Sequence, residues 1–147
     1  MEQIIITLVL LSLGYMFGRR AEKKHYKSII DREASMNSLP AIASRIPPDD
    51  GYYQQTLVSG NVVIANDYFK AFAAGLRNLF GGKMSSYESL LDRARREALL
   101  RMKEQAQDLQ ADYVFNIKYE TASISKGASN KMPMIEVLAY GTALKKM

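Results

Sequence analysis

The sequence predicts a small α+β domain behind one N-terminal transmembrane helix. Three observations carry that prediction. Residues 4–17 hold no charged side chain. Three stretches, 53–65, 112–121 and 134–144, are rich in β-branched and aromatic residues, as strands are. Between the first and second of these, two stretches repeat apolar residues at helical spacing.

The N-terminal run comes first. From Gln3 to Gly18 a helix would be about 24 Å long at about 1.5 Å per residue. The hydrocarbon core is about 30 Å thick, so the anchor over residues 3–18 is short. Local thinning, and snorkelling by Arg19, Arg20 and Lys23, would absorb the difference. Tyr15 suits the interfacial belt. A cleavable signal peptide needs positive charge before the apolar run and small residues at a cleavage site. Here Glu2 precedes the run and Arg19-Arg20 come after it. A buried core helix is a poor match for an all-round apolar run ending in a basic cluster.

Residues 19–51 read as a basic juxtamembrane segment and linker. Within 19–27, five bases (Arg19, Arg20, Lys23, Lys24, Lys27) stand against one acid, Glu22. These five are the expected membrane-interface residues, and the positive-inside rule places the C-terminal side of the anchor in the cytoplasm. Residues 19–33 can continue the helix. Pro40, Pro47 and Pro48 then break regular structure, and Asp49-Asp50-Gly51 signals a turn.

The folded domain is expected over residues 52–147. Tyr53–Ala65 reads as a strand, in which Gly60 suggests a bulge or tight hairpin. Asn66-Asp67 offers a helix cap. Tyr68, Phe69, Phe72, Ala73, Leu76, Leu79 and Phe80 come next at helical spacing, and Gly81-Gly82 ends the run. Ser85 and Glu88 form a capping box for a second helix. Its stripe is Leu91, Ala94, Ala98, Met102, Gln105 and Leu109. Its opposite face offers the pairs Asp92–Arg96, Arg93–Glu97 and Glu97–Arg101, which reads as solvated and ion-paired. Then come a strand over 112–121, with Tyr113, Phe115, Ile117 and Tyr119 on one face, a polar hairpin loop, and a last strand. That last strand is apolar on both faces: Ile135, Val137, Ala139 and Ala143 on one, Leu138, Tyr140 and Leu144 on the other. One long helix covers one face, so the second is expected to meet a partner subunit.

Composition excludes several chemistries. The chain of 147 residues has no cysteine and one histidine, His25, which lies among the lysines. Disulfides and thiolate metal sites are out, as is any Ser–His nucleophile in the domain. The net charge of +5 is densest beside the apolar run rather than on the domain. That favours lipid headgroups over nucleic acid. Gly81-Gly82-Lys83 misses the phosphate-loop pattern, since Arg77 replaces its first glycine and Met84 comes after the lysine. Glycines leading into a capped helix can still hold an anion. The candidate anion site is therefore Arg77, Gly81, Gly82, Lys83 and Ser85.

From Leu57 to Leu144 the motifs, in order, resemble the YbjQ-like family of small bacterial proteins, labelled heavy-metal-binding. They are Val58-Ser59-Gly60 before Ala65-Asn66, then Phe69-x-x-Phe72-Ala73-x-Gly75-Leu76-Arg77, Gly81-Gly82-Lys83 and Tyr87-Glu88. Next come Ala94-Arg95-x-x-Ala98 and Ala106-x-x-Leu109-x-Ala111-Asp112, and finally Tyr119-Glu120-Thr121 and Tyr140-Gly141-Thr142-Ala143. The resemblance implies a dodecin-like subunit, an antiparallel sheet packed on helices, assembled as a homopentamer. The anchor departs from the many soluble members. So does Gln110, where the family has a glycine after the long helix. The metal label has only oxygen ligands to draw on: Asp67, Glu88, Asp112, Glu120 and Glu136.

The function expected from these readings is a non-enzymatic, membrane-anchored, homo-oligomeric binding or scaffold module. Its domain lies on the cytoplasmic side of a bacterial inner membrane. Its partners are other copies of itself, the lipid bilayer and an unidentified small ligand or protein. No nucleic acid and no cofactor are expected. The alternative is heavy-metal binding through oxygen ligands.

Overall fold

A computed structural model describes residues 2–47, 51–65, 85–124 and 134–147. Two long helices and three strands make up its elements: α1 (Glu2–Ser35), β1 (Tyr53–Ala65), α2 (Ser85–Asp108), β2 (Tyr113–Ser123) and β3 (Met134–Lys146). The expected helix over 68–80 lies outside the described residues.

The sheet is antiparallel, in the order β1-β3-β2. The fold is therefore α+β, with a three-stranded sheet packed on a helix. The β1–β3 register is unbroken from Tyr53↔Lys146 to Ala65↔Met134. Directly opposed residues share a face. One face gathers Val58, Val62, Ile64, Ile135, Val137, Ala139 and Ala143, all buried. Onto it α2 lays Leu90, Ala94, Ala98, Met102 and Ala106. Those positions recur every four residues, so one helix face carries them.

Gly60 corrects an expectation. It makes neither a bulge nor a hairpin, because β1 runs straight through it. Its role is close approach: a Cβ there would run into the Ala98 carbonyl oxygen and the Met102 amide nitrogen of α2. The helix sits on the strand where a side chain is missing. Beside it, the Ser59 amide donates to Gln105 Oε1 (2.7 Å) and Arg101 Nη1 donates to the Asn61 carbonyl (2.8 Å). These side chains cap backbone groups on the outer edge of β1, where an open ladder invites unwanted pairing.

A second correction concerns β2. Its pairing shifts between Phe115 and Lys118, and Asn116 takes a left-handed φ of 54°. One extra residue flips every later side chain to the other face. Phe115 opposes Thr142, whereas Tyr119 opposes Ala139 on the α2 side. Tyr113 and Phe115 thus do not share a face with Tyr119. Burial pushes the Tyr119 phenol up, against the lowering effect of the nearby Arg95 charge.

The outer edge of β2 is also occupied. Residues 40–44, expected as linker, run alongside it with a parallel bridge at Ala41↔Val114. The Val114 amide donates to the Pro40 carbonyl, the Ile42 amide to the Val114 carbonyl and the Asn116 amide to the Ser44 carbonyl, each at 2.9 Å. The face of the sheet away from α2 carries Leu57, Val63, Leu138 and Tyr140. No described helix covers it, and Leu57 is 70 % exposed.

Candidate functional site: the charged seam between the N-terminal helix and the domain

α1 has two halves of different character. Its apolar half is exposed and packs on none of the other described residues. By length and composition this helix can cross a membrane. Its polar half does not hang free. Ile29 is fully buried, in a small cluster with Met36 of the adjoining turn and Leu100 of α2. Around that cluster the contacts are charged.

Glu97 of α2 is the centre, with only 4 % of its surface exposed. It is ion-paired with Arg32, accepts from Arg101 Nε (3.0 Å) and has His25 Nε2 at 3.5 Å. Arg32 also reaches Glu104 Oε1 (3.1 Å). Arg96 grips Glu33 with both arms, Nε to Oε1 at 2.7 Å and Nη2 to Oε2 at 2.6 Å. That fork geometry is the strongest form of such a pair. Arg93 lies 3.8 Å from Glu22 and over the Tyr26 ring. The Tyr26 hydroxyl donates to the Ser89 carbonyl (3.2 Å), and Lys103 Nζ to the Met36 carbonyl (2.7 Å).

The electrostatics reflect the geometry. Burial alone would raise the Glu97 carboxyl, but hydrogen bonds from Arg32 and Arg101, and their charges, outweigh it and hold it below the usual carboxylate value. The hydrogen bond from Arg96 lowers Glu33 likewise. Arg96 is raised in turn by Glu33. Burial lowers Lys103. Two guanidinium nitrogens, Arg32 Nε and Arg93 Nε, are buried without a hydrogen-bond partner among the described residues.

The expected solvated face of α2 is thus ion-paired but covered. Asp92–Arg96 (3.9 Å) and Glu97–Arg101 form as expected. Arg93 and Arg96, however, turn to acids of α1. Sequence reasoning missed Glu22, Arg32 and Glu33 as partners. The signal was present: Glu22, Tyr26, Ile29, Glu33 and Met36 recur at helical spacing.

The five expected interface residues, Arg19, Arg20, Lys23, Lys24 and Lys27, are all exposed on α1. Of the expected anion site, Arg77, Gly81, Gly82 and Lys83 lie outside the described residues, and Ser85 is the first residue of α2. Of the expected oxygen ligands, Asp67 also lies outside them. Asp112 accepts from the Lys146 amide at 2.8 Å. At the far end of α2, a cavity of about 290 Å³ is lined by Gln54, Thr56, Asp108, Gln110 and Lys145 among others.

A family model described as "Putative heavy-metal-binding" matches residues 41–146. The chain belongs to this YbjQ family. A UPF0145 protein of Clostridium novyi is 40% identical over 90 residues, 61% of this chain and 82% of that protein. One from Hahella chejuensis is 41% identical over 88 residues, 60% of this chain and 79% of its own length. One from the archaeon Methanoculleus marisnigri is 42% identical over 89 residues, 60% and 78%. YbjQ relatives thus extend beyond the bacteria that the resemblance implied. Among solved structures, a protein of unknown function from Pediococcus pentosaceus covers 74% of this chain and 98% of its own, at 15% identity and a TM-score of 0.48.

The residues present do not fit a soft heavy metal, the kind of ligand the YbjQ description suggests. Such a metal favours thiolate or clustered imidazole. The chain has no cysteine, and its one histidine, His25, lies outside the matched segment and faces Glu97. Among the described residues no three His, Asp or Glu side chains converge.

Proposed function

We propose that this YbjQ protein is a non-enzymatic, membrane-anchored, homo-oligomeric binding or scaffold module. Residues 3–18 span the bilayer, and the 52–147 domain stands on the cytoplasmic side. The observation that carries the reading is the continuity of α1. One helix passes from an exposed apolar half, through a basic band, to a half docked on the domain. An exposed helix of that composition is stable in lipid, where its backbone is satisfied internally. The basic band supports a cytoplasmic domain.

Self-association draws support from the sheet face with Leu57, Val63, Leu138 and Tyr140, which no described helix covers, and from the resemblance to dodecin-like pentamers. In a ring of five copies, five anchors and five basic bands would act together, which strengthens attachment without new contacts.

The test is extraction and sedimentation of the full chain. Resistance to alkaline carbonate, release by detergent and a discrete oligomer in detergent are expected. Release by carbonate would overturn the anchor, and a monomer at micromolar concentration would overturn the assembly. Metal analysis of the same preparation is expected to show only substoichiometric metal. Near-stoichiometric heavy metal would replace the reading with the carboxylate alternative.

A further inference from the structure

The charged seam does more than attach two helices. Partners across it advance together: Tyr26 meets Ser89, Glu33 meets Arg96 and Met36 meets Lys103. α1 and α2 therefore run in the same direction. The N-terminal end of α2 is the end nearer the apolar half of α1. Tyr26 meets Ser89 and Glu22 meets Arg93, so the start of α2 lies level with residues 14–22, where the apolar half of α1 passes into the basic band. That level reaches at most about 6 Å beyond Gly18 at about 1.5 Å per residue. The headgroup layer is about 5–8 Å deep on each side of the bilayer.

The seam also sorts charge. Glu22, the one acid among residues 19–27, is turned toward Arg93. Arg19, Arg20, Lys23, Lys24 and Lys27 are left exposed. At 3.6 residues per turn, Arg20, Lys23, Lys24 and Lys27 share an arc of about 100°, opposite the docked stripe of Glu22, Tyr26, Ile29 and Glu33. The exposed stripe is basic, about 10 Å long and continuous with the apolar half.

We infer that the seam is an orienting joint: it holds the domain so that the leading end of α2 and the basic stripe of α1 meet one anionic lipid surface. This rests on the anchored reading. A domain on a loose linker would sample all orientations above the bilayer. Here two bidentate or multiply bonded arginines, Arg96 and Arg32, and the buried Ile29 remove that freedom. Lipid phosphates then meet the stripe from the side that α2 leaves open, each base near the surface adding to the attraction.

The chain has no cysteine, so single labels can be placed cleanly. Glu88→Cys and Gln107→Cys put a fluorophore on exposed positions near the two ends of α2, about 28 Å apart along the helix. The full chain is reconstituted in phosphatidylcholine vesicles with and without phosphatidylglycerol and with an energy acceptor on the headgroups. Transfer from the Glu88→Cys label is expected to exceed that from Gln107→Cys several-fold, and more so with phosphatidylglycerol. In an Arg32→Glu background the two labels are expected to converge. A Glu33→Arg change is expected to do the same, and Arg96→Glu added to it to restore the difference. Equal transfer from both labels in the parent chain would overturn the inference while leaving the anchor intact. So would a difference that survives Arg32→Glu, or one indifferent to lipid charge. Failure of the parent chain to float with vesicles would instead remove the anchored reading beneath it.

Discussion

α2 is held on two sides by opposite means. Toward the sheet it presents Leu90, Ala94, Ala98, Met102 and Ala106, and it meets Gly60, Val62, Val137 and Ala139. Toward α1 and the turn after it, it presents Arg93, Arg96, Glu97, Lys103 and Glu104. The first interface is apolar, built of small residues, and depends on shape. The second surrounds three apolar side chains, Ile29, Met36 and Leu100, with charge. Shape-dependent packing fails when volume changes. A charged seam fails when a partner, a proton or the ionic strength changes. The domain can therefore keep its fold while its attachment to α1 is altered.

The largest expected effect is on the apolar side. Gly60→Ala puts a methyl group against α2 backbone, which cannot rotate out of the way. The loss should reach about 3 kcal/mol, the upper end of ordinary overpacking, in urea unfolding of the detergent-solubilised chain. Met102→Ala, at a fully buried position, should cost about 2–3 kcal/mol by leaving a cavity. Both should leave the ratio of α1 to sheet amide protection unchanged, because both act on the whole unit. Selective loss of α1 protection would show that the seam, and not the sheet, carries the domain.

Glu97→Gln breaks the comparison from the other side. It removes the charge shared by Arg32, Arg101 and His25. These partners keep some access to solvent, so the cost should stay near about 1–2 kcal/mol, below that of a fully buried pair. Amide exchange should quicken around Ile29 and stay slow at Val137. Equal acceleration at both sites would deny that the two interfaces are separable.

Acid should act in the same direction with a smaller effect at first. Glu97 and Glu33 are both lowered in the folded chain from an ordinary value of 4.5. Groups with depressed values add stability that is complete above the unfolded value and is lost as pH falls through the folded one. Exchange around Ile29 should thus be steady from neutrality to about pH 5 and quicken below about pH 4.5, ahead of the sheet. A sheet that loosens first would refute the assignment.

How much of this was legible in the sequence differs between the two sides. The sheet side was nearly all legible. The face Ile135, Val137, Ala139 and Ala143 of β3 and the stripe Ala94, Ala98, Met102 obey simple periods, since burial of one face imposes them. At Gln110 the resemblance marked the place, since the family has a glycine there, and that position takes a left-handed φ. Two backbone features were not. Gly60 marks a close approach that only three-dimensional packing reveals, and the Asn116 bulge shifts register without any glycine or proline to announce it. On the seam side, the i,i+4 rule favoured local partners. The bidentate and buried pairs join residues more than sixty positions apart, and charge patterning within one helix does not encode that. Of the candidate anion site, Arg77, Gly81, Gly82 and Lys83 lie outside the described residues, and Ser85 begins α2.

The smallest effect sharpens the comparison at the end of α2 away from the seam. The helix closes with two bonds, the Ala111 amide to the Ala106 carbonyl (3.0 Å) and the Gln110 amide to the Gln107 carbonyl (2.8 Å). This closure requires a left-handed residue, and Gln110 supplies it at φ 58°. A side chain there costs about 1 kcal/mol. Gln110→Gly removes that strain but also the bond from Lys145 Nζ to Gln110 Oε1 (2.9 Å), which lies in solvent. The net gain should be no more than about 1 kcal/mol. Gln110→Ala loses the same bond and keeps the strain, so it should be no more stable than the parent. If glycine and alanine behave alike, backbone strain is not what Gln110 contributes. If they differ as expected, sheet protection should rise with glycine while the α1 seam keeps its own acid sensitivity, because the two interfaces share a helix but not a mechanism.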